Sequence, residues 1–202
     1  NQEKLKKAYN YLSKDLCLKF LLKRFSDEID ISERYNENYA KALAFLIIEQ
    51  QVSFKAAITI KKRFSDKVNN LSDVEILNLE ITDLQSIGIS LRKVHYIQNV
   101  YKYFQDSKFD FKSASNKDII SELTRIKGIG LWSAEMFLMF ILMRINIFSL
   151  GDLALMNSLK VNYKINIKDK DAVESLIELW SPYKSVASLL LWKSIEEKYY
   201  YS

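Results

Sequence analysis

The feature that most restricts how this chain can fold is its shortage of chain breakers: four Gly and one Pro in 202 residues. Parallel sheets and β-sandwiches need many tight turns, and tight turns draw on Gly for positive φ and on Pro for a preset φ. The chain therefore reads as all-α, with helices joined by loops of Asn, Asp and Ser. Apolar residues make up 49% of it and charged residues 27%, enough for a folded core and too hydrophobic for intrinsic disorder. A chain of this length forms one compact domain or two small lobes, burying about 70% of its unfolded surface.

Helix starts recur along the sequence. Ser13 precedes residues 14–25, Ser53 precedes 54–64, and Ser72 with Glu75 has the spacing of a capping box. Ser90 precedes a segment in which Val94, Ile97, Tyr101 and Phe104 recur at threes and fours, the pattern of a helix with one buried stripe. Ser181-Pro182 reads as a further start, with Pro at the first helical position, where its missing N–H is no loss. About eleven or twelve helices are expected from these signals. Residues 26–37 and 106–116 read as loops without the composition of a domain linker. There is no repeat of solenoid period and no low-complexity tract.

Several function classes fall away. Cys17 is the only Cys, so a disulfide within the chain, a Cys-rich zinc site and a four-Cys iron–sulfur cluster are excluded, and the composition suits an intracellular setting. His95 is the only His and has helix-surface spacing, with no second ligand nearby; no metal site built from side chains is expected. The start, Asn1-Gln2-Glu3-Lys4, has no apolar signal core, and the longest apolar run, 136–143, is far short of a membrane span. The expectation is a soluble, cytoplasmic protein (nucleoid-associated in a bacterium, nuclear in a eukaryote) with no membrane partner. A formal charge of +5 is weak support for nucleic-acid binding by itself.

Two of the four glycines sit two residues apart in Ile126-Lys127-Gly128-Ile129-Gly130-Leu131-Trp132. An apolar pattern from Ile119, Ile120 and Leu123 runs up to this turn, and a longer one leaves it from Ala134 to Met143: helix, tight hairpin, helix. Both glycines permit positive φ and the close approach of another backbone. The N–H groups opening the second helix make an anion site, for which a nucleic-acid phosphate is the obvious occupant. Gly-x-Gly alone reads more simply as a helix connection with a glycine C-cap. The spacing of Leu123, Ile126, Ile129 and Ala134 packs the two helices together and favours a fixed hairpin. Asp152, after Gly151 and before Leu153, Leu155, Met156 and Leu159, reads first as a helix N-cap.

Residues 126–136 resemble the helix-hairpin-helix of the DNA glycosylase (HhH-GPD) superfamily, in its 3-methyladenine glycosylase II branch. Glu49-Gln50-Gln51-Val52-Ser53-Phe54-Lys55-Ala56-Ala57 is similar to that branch's Gln-Gln-x-Ser-x-x-Ala-Ala helix junction. Gly88-Ile89-Ser90-Leu91-Arg92-Lys93-Val94-His95-Tyr96-Ile97 resembles its Gly-Leu-Ser-x-x-Lys-x-x-Tyr-Ile segment. Trp180-Ser181-Pro182-Tyr183-Lys184-Ser185-Val186-Ala187, with Trp192, is similar to its Trp-x-Pro-Tyr-Arg-Ser-x-Ala block. These four matches lie in the family's order. The resemblance implies one catalytic domain over 1–202 with an interlobe cleft as active site: lobe one at about 38–140, with the hairpin at 119–143, and lobe two at about 1–37 plus 150–202. The sequence departs from the branch at Glu49, where Gly is common, at Leu131, where a polar residue or Pro is common, and in having nothing before Tyr9 that matches the N-terminal β-sheet domain of longer members.

The resemblance makes Asp152 the catalytic carboxylate, a role compatible with capping, since a cap is held rigidly. As a base leaves its sugar, positive charge builds on the sugar, so a fixed anion there stabilises the transition state more than the ground state. An N-alkylated purine is already cationic and departs without a proton, whereas a neutral base calls for a general acid. The implied substrates are therefore 3-methyladenine and 7-methylguanine in double-stranded DNA. Family members that also cut the strand carry a Lys just after the hairpin glycines, which forms a Schiff base with the sugar; here that position is Trp132, and a monofunctional enzyme without AP-lyase activity is expected. By the same resemblance Trp132 and Trp192, with Phe140 as a third candidate, form the pocket for the flipped base, although core packing is an equal reading for Trp192 and the stronger one for Phe140. Trp180 is left in the core.

Gln51 matches the residue that wedges into the duplex. The backbone contacts are Lys127, Gly128, Ile129 and Gly130 of the hairpin, with Ser53, Arg92, Lys93 and Lys184; Lys61, Lys62 and Arg63 read as a solvated face. No cofactor is expected beyond the monovalent cation that the family's hairpin carbonyls admit. A monomer is expected, handing its abasic product to an AP endonuclease. The competing readings are a non-catalytic hairpin module in which Asp152 only caps a helix, and a glycosylase for a different damaged base.

Overall fold

The computed structural model describes residues 2–201. Among them are twelve α-helices and no strand, as the shortage of breakers requires. They are α1 (Gln2–Leu12), α2 (Leu16–Phe25), α3 (Tyr39–Glu49), α4 (Phe54–Val68), α5 (Asp73–Leu77), α6 (Ile81–Gln85), α7 (Leu91–Asp106), α8 (Asn116–Thr124), α9 (Leu131–Met136), α10 (Leu153–Tyr163), α11 (Lys170–Glu178) and α12 (Lys184–Glu196). A 3₁₀ turn follows α2 at Ser26–Glu28, and α9 runs on into a π turn at Phe137–Ile141. The chain forms two compact units. One contains the stretch up to Arg34 together with everything from Met143 onward; the other is Tyr35–Leu142.

The central unit is built on α3. Ala40, Ala42, Leu43, Ala44, Leu46, Ile47 and Ile48 are all buried, so this helix is apolar around most of its circumference and belongs inside. It packs most extensively against α7, whose Val94, Ile97, Val100 and Tyr101 form the expected buried stripe. At one end Tyr39, Phe111 and Phe137 meet edge to face, with ring centroids 5.3–5.7 Å apart, a geometry that adds to the burial of each ring.

The other unit joins α1, α2 and α10–α12 around Leu18, Leu21, Phe25, Leu155, Leu159, Trp180, Leu190 and Leu191. Asp15 is the polar hub beneath this core. It caps α2 by accepting from Leu18 N–H at 2.9 Å, and it also accepts from the Tyr163 hydroxyl at 2.9 Å and the Trp180 indole N–H at 3.1 Å. Trp180 is 1% exposed, a core residue as read. Between α10 and α12 the buried Ser158, Asn162 and Ser194 satisfy one another at 2.9–3.0 Å, which fixes the two helices in register.

Ser53, Ser72 with Glu75, and Ser90 cap their helices as expected. Two starts are corrected. The cap of α2 is Asp15, not Ser13, because the carboxylate serves the helix, Tyr163 and Trp180 together, while Ser13 Oγ donates back to the Asn10 carbonyl. Pro182 is not the first residue of α12; Tyr183 N–H donates to the Trp180 carbonyl, closing a turn, and the helix begins only at Lys184. Among the described residues no group of three or more His, Cys, Asp or Glu is placed to hold a metal ion, and no helix is long and apolar enough to cross a membrane.

Candidate nucleic-acid interface and catalytic carboxylate

The hairpin forms as the spacing predicts. After α8 the chain turns through Ile126 N–H to the Leu123 carbonyl and Ile129 N–H to the Ile126 carbonyl, both at 3.0 Å, while Leu123, Ile126, Ile129 and Ala134 are buried. The two glycines serve different ends, which corrects the common role given to them. Gly128 has φ +109°, and a Cβ there would lie 2.3 Å from Cγ of Tyr96; both the backbone and the ring packed on it demand Gly. Gly130 has φ −99° and ψ −179°, open space around it, and the N-cap position of α9. No side chain caps α9 there. Lys127 is exposed at the tip.

The hairpin carbonyls are partly engaged. That of Lys127 accepts from the Asn99 side-chain amide at 3.2 Å, and that of Gly128 from the Gln50 side-chain amide at 3.1 Å. Each carbonyl has two lone pairs, so one acceptor position on each is not used by these bonds.

The junction between α3 and α4 lies in the same unit. Gln51 is exposed and has φ +54°, in the left-handed region that non-glycine residues rarely enter. Its side-chain oxygen accepts from Arg92 Nη2 at 3.2 Å, and Ser53 next to it caps α4 through Ala56 N–H at 3.3 Å. Arg92 is exposed. Lys93 is not such a contact: it is 9% exposed, and its ammonium donates to the carbonyls of Ile48 at 2.8 Å and Gln50 at 2.6 Å. Burial, and then the neighbouring Arg92 charge, pull its pKa below the usual lysine range. The ammonium caps the C-terminal end of α3, whose last carbonyls lack helical partners. Lys61 is likewise no free solvated charge, since it forms an ion pair with Glu49. Trp132 is half-buried beside Gly130. Phe140 lies in the π turn and is buried, 6% exposed.

In the other unit the loop before α10 delivers Asp152. Its N–H reaches the Ser149 carbonyl at 3.2 Å, and its side chain caps the helix, Oδ1 accepting from Leu155 N–H at 2.8 Å. The same Oδ1 accepts from the indole N–H of Trp192 at 3.0 Å. Two residues to which the resemblance gives roles at the site, 40 positions apart, are thus brought into direct contact. A charge-assisted bond from a ring N–H fixes the carboxylate more firmly than a cap alone. Trp192 is half-buried, and Leu150 and Leu153 flank the carboxylate at 48% and 86% exposed. Lys184, at the start of α12, forms an ion pair with Glu178 and is largely covered; the ammonium holds the Glu178 carboxyl below the usual carboxylate range.

Sequence reasoning missed Gln50 and Asn99, whose amides reach the hairpin, and the bond between Asp152 and Trp192. The doubled Gln50-Gln51 was the one signal available, and it pointed to the exposed partner only.

Residues 45–182 match the family model described as HhH-GPD superfamily base excision DNA repair protein. The chain is 31% identical over 197 residues to the Saccharomyces cerevisiae DNA-3-methyladenine glycosylase, covering 78% of this chain and 67% of that protein. It is 30% identical over 156 residues to the Schizosaccharomyces pombe DNA-3-methyladenine glycosylase 1, covering 73% and 68%. It is also 33% identical to the Bacillus subtilis protein YfjP, of whose length it spans 56%. Among solved structures it is similar to the S. pombe 3-methyladenine DNA glycosylase Mag1 in complex with abasic DNA, with a TM-score of 0.85, 27% identity and coverage of 94% of this chain and 97% of that one.

Proposed function

The chain belongs to the HhH-GPD superfamily of base excision DNA repair proteins, among the 3-methyladenine DNA glycosylases, and on that premise we propose that it hydrolyses the N-glycosidic bond of alkylated purines in duplex DNA and leaves the strand intact. The observation that carries this reading is the Asp152 carboxylate, gripped at one oxygen by Leu155 N–H and by Trp192.

A carboxylate fixed in this way need not reorganise as positive charge develops on the sugar, and such preorganisation is the main source of electrostatic catalysis. The alkylated purine carries its own positive charge and leaves as a neutral base, so no general acid is required beside Asp152. Water completes the hydrolysis at the sugar carbon, and Asp152 is the group available to orient it. Trp132 and Trp192 each offer an indole face to a cationic base. With Trp132 where strand-cutting relatives carry Lys, no Schiff base forms. Gln51 fills the space the flipped nucleotide leaves, while the hairpin from Lys127 to Gly130 and the exposed Arg92 hold the strand through phosphates. A monovalent cation on the hairpin carbonyls would add positive potential at the same phosphate. The protein acts as a monomer, and its abasic product requires an AP endonuclease.

The test is release of 3-methyladenine and 7-methylguanine from methylated duplex DNA by the wild type and by Asp152→Asn, with strand breaks scored before and after alkali. Asn caps helices as well as Asp, so the variant keeps its fold and loses at least about 100-fold in rate. Breaks appear only after alkali. Undiminished release by Asp152→Asn would overturn the proposal.

A further inference from the structure

We propose that Gln50 is a positioning residue that locks the wedge turn to the hairpin, so that gripping the strand and inserting Gln51 are one mechanical act. The inference rests on the glycosylase reading and concerns residues of the central unit alone.

Gln50 lies between α3 and Gln51 and is held at both of its ends. Its side-chain nitrogen donates to the Gly128 carbonyl and to Ser133 Oγ, both at 3.1 Å, so it spans the hairpin loop and the first turn of α9. Its backbone carbonyl accepts from the buried Lys93 ammonium at 2.6 Å, and its N–H donates to the Ile47 carbonyl at 3.2 Å. An amide nitrogen has two donors, and Gln50 sends them to two elements of the hairpin. Ser133 is 1% exposed, so the bond to it cannot be exchanged cheaply for one to water.

The next residue, Gln51, is exposed with left-handed backbone, a conformation that persists only where the surroundings over-determine it. Here Gln50 is pinned before it and the Ser53 cap after it. Helix α7 completes the frame: Arg92 meets the Gln51 side chain, Lys93 the Gln50 carbonyl, and, at successive helical steps of four and three residues from Arg92, Tyr96 lies under Gly128 and Asn99 meets the Lys127 carbonyl. Wedge and hairpin are thus set on one helix and cross-linked directly by one side chain.

The experiment is a double-mutant cycle with Gln50→Leu and Gln51→Ala on duplex DNA carrying a 2-aminopurine beside an abasic-site analogue, read as fluorescence on binding, with single-turnover release of 7-methylguanine measured in parallel. Gln50→Leu keeps the side chain's approximate volume and removes its donors. Fluorescence gain and excision are expected to fall together by about tenfold, with affinity for undamaged duplex little changed. The double variant should be no worse than Gln51→Ala alone, because Gln50 acts through Gln51. Additive losses, or wild-type fluorescence in Gln50→Leu, would overturn the proposal. Should Gln50→Leu not fold, Ser133→Ala removes one of the two links and must shift fluorescence in the same direction; an unchanged signal would overturn the proposal too. The fluorescence arm needs no chemistry, so loss of the glycosylase reading, seen as no base release by the wild type, stays distinguishable from loss of the brace.

Discussion

At the scale of single residues, two side chains that sequence similarity marks with equal weight have different fates. Trp192, which the resemblance assigns to the base pocket, holds Asp152 through its indole N–H. Trp192→Phe retains an aromatic face and removes that bond. Steady-state kinetics on a methylated duplex should show kcat reduced by about 10- to 100-fold, the cost of losing a hydrogen bond to a charged group, with KM moved much less. A fall confined to KM would mean that the ring only binds the base. Lys93 carries the same basic signal as Arg92 beside it, yet points inward to the end of α3. The letters of the sequence record charge and spacing; on α7, a step of one residue, about 100° around the helix, separates the exposed Arg92 guanidinium from the Lys93 ammonium that meets backbone carbonyls.

At the scale of elements, the hairpin shows how far a local pattern determines local structure. Its helices, its buried Leu123, Ile126, Ile129 and Ala134, and its need for Gly follow from spacing and from the limits on φ. That the need differs between the two glycines does not, because the obstacle is a ring from α7, brought there by packing. Gly128→Ala would place a Cβ 2.3 Å from Tyr96 in a backbone with φ +109° and is expected to lower stability by at least about 2 kcal/mol. Gly130→Ala, in open space with extended backbone, should change it by about 1 kcal/mol or less. Denaturant titrations of the two variants read this directly, and equal losses would contradict the assignment of the two roles. The caps at Ser53, Ser72 and Ser90 were legible because an N-cap is a local bond; the start at Ser13 was misjudged because Asp15 answers to Tyr163 and Trp180, far along the chain, and that at Pro182 because a turn from Tyr183 N–H to the Trp180 carbonyl delays the helix to Lys184.

At the scale of the whole molecule, buried ionisable groups set how the fold responds to pH. Burial pushes the Cys17 thiol up to about 12, from an ordinary value of about 8.5. It also raises the hydroxyls of Tyr9, Tyr39, Tyr101, Tyr103 and Tyr163. In each case the folded state binds the proton more tightly than the unfolded state. Their contribution to stability is therefore complete below the unfolded values and is lost as pH rises past them. Urea midpoints should fall steadily between about pH 8 and about pH 11, and Cys17 should resist alkylation until the protein unfolds; a midpoint flat over that range would contradict the sign. The sequence by itself determined the all-helical class, the hairpin, the family, and the place of Asp152 at a helix start, because these rest on periodicity, φ limits and ordered motifs that are local along the chain. Only the tertiary structure decided that Trp192 grips Asp152, that Lys93 and Phe140 belong to the interior, and that Gln50 ties the turn between α3 and α4 to the hairpin. Those facts depend on which distant groups share a burial site, and a buried donor must find its acceptor wherever packing has put one.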